Sequence, residues 1–277
     1  MAQKEYALTT KDGLSLFGQA WLTEKTPKAL VLIVHGLGEH CGRYAHVAQI
    51  FNENSFQVYS FDQRGHGKSE GKRGHTPSPQ HLIDDIAAAI QYACHDSEDA
   101  LPLFLYGHSL GALEVLYYGV KEDDALKGII ATSPPLDLSG TPESKKKLAK
   151  FLNPLLPGLV MPNGLDSNAL SHDAEVVKAY QDDPLVHDRI SVRLGMFMFA
   201  GAEEVLTGAK TWHYPLLLMH GTEDPICGIK GSDAFFEQLP QGDFTYKRWE
   251  GLFHETHNEP EKAEVIQTMV DWIGYRA

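Results

Sequence analysis

The pentapeptide Gly107-His108-Ser109-Leu110-Gly111 constrains this chain more than any other stretch. It fits G-x-S-x-G and stands between two structured runs. Before it, Leu101, Leu103, Phe104, Leu105 and Tyr106 read as a buried strand; after it, Ala112, Leu113, Val115 and Leu116 read as a helix. The bare pattern is weak: with glycine and serine each at about 7% of residues, it arises about once in ten chains of this length. Set between strand and helix, it describes a tight turn holding Ser109 in a strained, exposed conformation, with room only for glycine on either side. Ser109 then also lies at a helix N-terminus, where free N–H groups and the dipole favour developing negative charge.

The rest of the chain alternates strands and helices around that turn. Tyr6–Thr9 and Leu14–Trp21 flank the turn signal Lys11-Asp12-Gly13 and predict an antiparallel hairpin. Ala29–Val34 is a buried strand, and Tyr44, Val47, Ala48 and Phe51 recur at helical spacing after it. Phe56–Phe61 is a strand that opens into the glycine-rich loop Asp62–Ser69. Ser78-Pro79 then starts a helix striped by Leu82, Ile86, Ile90 and Ala93. Lys127–Thr132, Pro215–His220 and Phe244–Trp249 are further strands. Ser232–Leu239 and a C-terminal segment carrying Ile266, Met269, Val270 and Ile273 are helices. Between Ser133 and Tyr214 the alternation stops. Prolines 134, 135, 142, 154, 157, 162 and 184 punctuate short helical pieces such as Leu148–Leu156 and Val192–Ala200. The pattern predicts an α/β core at 1–133 and 215–277, with an inserted helical cap at 134–214. The core is a mostly parallel, doubly wound sheet with helices on both faces. In such a sheet the site lies beyond the carboxyl ends of the strands.

The formal charge of −13 argues against nucleic acid as a partner and against electrostatic docking on anionic lipid, while leaving neutral apolar substrates open. The three cysteines (Cys41, Cys94, Cys227) form no CxxC, and MAQKEYALTT has no apolar signal core. Ala29–Val34 is too short to span a bilayer. A reducing, cytoplasmic setting is the expectation, with transient membrane contact still open.

A serine hydroxyl attacks only when a base takes its proton, and the base needs a third group to orient it. In chains with this elbow the order is serine, acid, histidine. The loop after Pro215–His220 reads Gly221-Thr222-Glu223-Asp224-Pro225, so Asp224 is the expected acid, with Glu223 and then Asp137 as alternatives. The loop after the last strand reads Gly251-Leu252-Phe253-His254-Glu255-Thr256-His257 and offers His254 as base, with His257 as the alternative. The oxyanion needs preorganised donors, expected from the backbone N–H groups of Leu110 and Leu37. Three competing motifs fail. Gly36-x-Gly38 has its third glycine, Gly42, one residue too late for a dinucleotide turn. Gly67-Lys68-Ser69 lacks the first glycine of a phosphate loop, since Asp62 stands there. His254-Glu255-Thr256-His257 is one residue short of a zinc helix motif. No cofactor and no metal is implied. Cys41 and Cys227 lie on site-forming loops and read as packed thiols.

Over nearly all of its length the chain resembles the monoglyceride lipase family of serine α/β-hydrolases. The resemblance is carried by His35-Gly36-Leu37-Gly38-Glu39-His40, Gly42-Arg43-Tyr44, Arg64-Gly65-His66-Gly67-Lys68-Ser69, the elbow, Asp183-Pro184-Leu185 and the Asp224 and His254 loops. It implies the α/β-hydrolase fold, release of fatty acid and glycerol from monoacylglycerols, and the triad Ser109, Asp224 and His254. It also implies a polar wall around the glycerol group from Glu39, Arg43, Tyr44, His108 and His257, a thiol near the site at Cys227, and an apolar acyl tunnel under a cap able to touch a lipid surface. The chain departs from the family in having Ala112 where a second glycine is common. The cap's apolar content (Leu148, Phe151, Leu152, Leu155, Leu156, Leu159, Val160, Met161) suits such a tunnel. The nearest alternatives are a lysophospholipase or a broad carboxylesterase with the same chemistry, and, from another class, a non-catalytic binding protein on this fold.

Overall fold

A computed structural model describes residues 2–97, 100–137 and 143–277, with residues 143, 145 and 146 described by backbone only. Pro142 lies outside the described residues. Ten strands and eight α-helices follow one another among them. The strands are β1 (Ala2–Thr9), β2 (Ser15–Leu22), β3 (Ala29–Val34), β4 (Phe56–Phe61), β5 (Leu103–His108), β6 (Gly128–Thr132), β7 (Val160–Pro162), β8 (Arg189–Ser191), β9 (Leu216–Gly221) and β10 (Phe244–Trp249). The helices are α1 (Ala45–Glu53), α2 (Pro79–Asp96), α3 (Leu110–Lys121), α4 (Glu143–Leu152), α5 (Ala174–Asp182), α6 (Val192–Gly208), α7 (Lys230–Glu237) and α8 (Lys262–Gly274).

Eight strands form one sheet in the order β1-β2-β4-β3-β5-β6-β9-β10. Strand β2 runs antiparallel to both of its neighbours, and every other pairing is parallel. The central strands β3 and β5 are buried at every residue, because helices cover both faces. Their side chains alternate between two cores as the two-residue period requires. Leu30, Leu32, Val34 and Leu105 face a cluster with Ile83, Ile86, Leu113, Leu116, Ala202 and Val205. Val31, Ile33, Phe104 and Tyr106 face one with Val47, Phe51, Val265, Ile266 and Met269. Helices α2, α3 and α6 thus lie on one side, and α1 and α8 on the other.

Some boundaries differ from the sequence reading, each for a physical reason. Strand β1 begins at Ala2 rather than Tyr6, paired residue by residue from Ala2↔Leu22. Its first residues are exposed, so backbone pairing extends it without an apolar signal. The helix predicted around Tyr44 opens as a 3-10 turn over Cys41–Tyr44 before α1. Helix α6 runs on past Ala200, with Gly201, Ala202 and Val205 buried in the core. Within 134–214 the structure also holds a two-stranded antiparallel ribbon, β7 with β8, which three-residue strands cannot announce by periodicity.

Candidate active site

Strand β5 runs straight into α3 through Ser109, whose φ is +53° and ψ −119°. A side chain at Gly107 would overlap the carbonyl oxygen of Gly111, and one at Gly111 the carbonyl oxygen of Val34. Both glycines are therefore steric requirements of the turn. The Ser109 N–H donates to the Thr132 carbonyl at 2.9 Å, which ties the turn to β6.

At the carboxyl end of the sheet three side chains form one hydrogen-bonded chain. His254 Nε2 lies 2.9 Å from Ser109 Oγ, and His254 Nδ1 lies 2.7 Å from Asp224 Oδ2. Asp224 Oδ1 accepts the N–H groups of Ile226 (2.8 Å) and Cys227 (2.9 Å). Burial would raise the Asp224 carboxyl pKa, but the charge of His254 and the hydrogen bonds from His220 and His254 hold it well below the usual range. Burial would likewise make His254 harder to protonate; the charge and hydrogen bond of Asp224 outweigh this and leave its pKa raised. Of the alternatives, Glu223 is exposed on the same loop, and His257 is buried against Tyr44 and His108. Asp137 sits beside Gly228 and Gly231.

Two residues the sequence reading missed hold this chain in place. His220, buried at the end of β9, sets Nε2 3.1 Å from Asp224 Oδ2 and 2.7 Å from the Cys227 carbonyl, with Nδ1 2.7 Å from Ser232 Oγ. Two acceptors at Nε2 make that nitrogen a donor, and the Ser232 hydroxyl fixes the other edge of the ring. Ser133, at φ +51°, donates its hydroxyl to the His254 carbonyl at 2.8 Å. A histidine ending an otherwise apolar strand was the available signal for His220. Nothing local marked Ser133.

A cavity of about 450 Å³ opens over Ser109, His108, His254 and Leu37. Leu110 opens α3, where the first N–H groups lack partners inside the helix. The Gly36 N–H is donated to Glu39 Oε1 at 2.6 Å, and Leu37, next along this loop, lines the cavity. Of the five residues expected as a polar wall, Glu39 and His108 line the cavity. Arg43, Tyr44 and His257 are not among its described lining residues; each is packed and bonded inside the protein. Arg43 bridges Glu39 and Glu255, the Tyr44 hydroxyl donates to Glu39 at 2.8 Å, and the His257 ring stacks on Tyr44. Burial pushes the His257 pKa down to about 3 and that of His108 well below the usual histidine value, so both rings are neutral. Segment 134–214 contributes Leu165, Leu170, Tyr180 and Val186 to the lining. In the leucine-rich segment 148–161, Leu148, Phe151, Leu155, Leu156, Leu159 and Met161 are instead exposed to solvent. Cys41 and Cys227 are buried, and burial raises both thiols, as suits packed groups. Among the described residues no group of histidine, cysteine and carboxylate side chains is arranged to hold a metal.

An elbow serine, a strand-end imidazole and a strand-end carboxylate on a mostly parallel sheet define the class: a serine α/β-hydrolase. Comparison with known proteins narrows it. The family described as "Serine aminopeptidase, S33" matches residues 25–261. A monoacylglycerol lipase of Mycolicibacterium smegmatis is 32% identical over 273 residues, covering 98% of this chain and 97% of that protein. The crystal structure of a Paleococcus ferrophilus monoacylglycerol lipase superposes with a TM-score of 0.87 at 40% identity, covering 95% of this chain and 99% of that one. An uncharacterized abhydrolase domain-containing protein of Dictyostelium discoideum is 38% identical over 275 residues, and there the chain spans 29% of the relative's length. The chain belongs to the monoglyceride lipase family and is a carboxylic-ester hydrolase.

Proposed function

We propose that this enzyme cleaves monoacylglycerols to fatty acid and glycerol through an acyl-enzyme. Ser109 attacks the ester carbonyl as His254 takes its proton; the N–H groups of Leu37 and Leu110 receive the oxyanion. His254 then protonates the departing glycerol oxygen and activates water to release the fatty acid, with Asp224 holding the imidazole in the productive tautomer. The observation that carries this reading is the unbroken Ser109–His254–Asp224 hydrogen-bond chain at the cavity floor. The named activities of the relatives support the substrate. So does the lining: Asp183 and Asp188 contribute carboxylates, and no lysine or arginine is among the described lining residues. A phosphate head group would meet like charge there. The test compares kcat/KM on a monoacylglycerol, on lysophosphatidylcholine and on a short nitrophenyl ester. The monoacylglycerol is expected to lead by at least about tenfold, a gap of about 1.4 kcal/mol in transition-state binding. Faster turnover of the lysophospholipid would overturn the assignment.

Segment 134–214 is read as a cap, and its outer surface as the part that meets lipid. Leu148, Phe151, Leu155 and Leu156 are 57%, 66%, 63% and 52% exposed, with Lys147 and Lys150 beside them on α4. Contiguous exposed apolar side chains of this size mark an interaction surface. The double variant Leu148→Ser and Phe151→Ser is expected to bind zwitterionic vesicles at least about tenfold more weakly, because each side chain gives up on the order of 1 kcal/mol or more of burial. Turnover of a dissolved short-chain ester should not change. Undiminished vesicle binding by the variant would remove this surface from consideration. No described helix is long and apolar enough to cross a membrane.

A further inference from the structure

Two loops supply the reacting groups read above: the one after β3 carries Leu37, and the one after β10 carries His254. They are joined by a single buried guanidinium. Arg43 Nη1 donates to Glu39 Oε2 at 2.5 Å and to Glu255 Oε1 at 2.7 Å, and Nη2 donates to Glu255 Oε2 at 2.8 Å. Glu39 is two residues from Leu37, and Glu255 is next to His254. Each carboxylate is held from other sides as well. Glu39 Oε1 accepts the Gly36 N–H at 2.6 Å and the Tyr44 hydroxyl at 2.8 Å, and Glu255 Oε2 accepts Asn258 Nδ2 at 2.7 Å. The Tyr180 ring, from α5, lies 4.8 Å from the guanidinium carbon.

Both carboxylates are buried, and the Arg43 side chain is only 11% exposed. Two buried carboxylates repel unless a cation lies between them, and breaking such a group by removing one member leaves an uncompensated charge. Arginine suits the position because its planar fork binds Glu255 through two parallel bonds while a third reaches Glu39; an ammonium has no such fixed geometry. Three of the five guanidinium N–H donors are thus engaged by the two carboxylates.

We infer that Glu39, Arg43 and Glu255 form a positioning clamp for ester hydrolysis, setting the spacing between the Leu37 N–H and the His254 imidazole, rather than a head-group subsite. The inference rests on the roles of Leu37 and His254 given above, and it adds a device that serves any acyl ester. Its test uses two substrates in parallel, a monoacylglycerol and a short nitrophenyl ester with no glycerol, on Glu255→Gln and Arg43→Lys. Rates are normalised to active sites counted by fluorophosphonate labelling taken to completion, so loss of folded protein does not register as lost activity. A clamp predicts that kcat falls on both esters by the same factor, about 10²-fold for Glu255→Gln, since a misplacement near 1 Å costs about that much. KM should stay within about threefold. Arg43→Lys keeps a cation between the carboxylates, and it should fall by a smaller but again equal factor on the two esters. A rise in KM confined to the monoacylglycerol, with the nitrophenyl ester unaffected, would return these residues to the glycerol wall. Unchanged kcat on both esters in both variants would leave the clamp without a role. A failure of the monoacylglycerol assignment itself shows separately, in the wild-type substrate ranking.

Discussion

Ser109→Ala is expected to lose at least about 10⁴-fold in kcat/KM on a monoacylglycerol while unfolding at nearly the same temperature as the natural chain. The loss follows from geometry. Among the described residues no other hydroxyl is hydrogen-bonded to His254 Nε2, so removing Oγ leaves the base with nothing to activate except water. The residual rate should come from the oxyanion donors and substrate binding, which survive the change. Stability should hardly move, because the strain at φ +53° belongs to the backbone, and alanine bears it as serine does. A steady-state assay with a thermal melt on the same preparation checks both halves. Near-normal turnover by the alanine variant would show that a different group attacks the ester.

Asp224→Asn should cost on the order of 10³- to 10⁴-fold in kcat for a different reason. Every recorded contact of this carboxylate comes from a group that can donate: His254 and His220 at Oδ2, the N–H groups of Ile226 and Cys227 at Oδ1. An amide must set its own NH₂ against one of those pairs. If it faces His254, the imidazole is driven to the tautomer with its proton on Nε2, where it cannot accept from Ser109. If it faces the loop, two buried N–H groups lose their acceptor, at about 1–3 kcal/mol each. The pH dependence should move as well. His254 works as a base only when neutral, so activity rises with pH through its pKa, which Asp224 holds above the ordinary histidine value. Without that charge, burial prevails and the acid limb of kcat/KM should shift to lower pH. An unshifted acid limb, or a loss below tenfold, would mean that Asp224 does not set the state of His254.

How legible the chain was depends on how far apart the interacting residues lie. The strands β3, β4 and β10 could be read to the residue, because each is a short run rich in apolar or aromatic residues closed by glycine or polar turn residues; β5 lies two residues further on than its apolar run suggests. The elbow was equally plain, since its glycines answer clashes within four residues or with the adjacent strand. The head-group wall was less so. Arg43, Tyr44 and His257 were placed by likeness of motif, and a motif does not say which way a side chain faces. The structure turns them inward, to Glu39, Glu255 and each other. Leu148, Leu155, Leu156 and Leu159 had been read as tunnel candidates; exposure, which no local pattern reveals, sets them outside.

The sequence by itself determined the order of strands and helices, the sharp turn at Ser109 and the loops from which an acid and a base could come. All of these rest on steric and hydrophobic preferences acting over a few neighbouring residues. Only the tertiary structure decided that His254 meets Ser109 across 145 positions, that Arg43 closes on Glu255 across 212, and that His220 and Ser133 brace the arrangement. Such meetings depend on how eight strands order and twist into one sheet. That order is a property of the whole buried core, and no single stretch of the chain carries it.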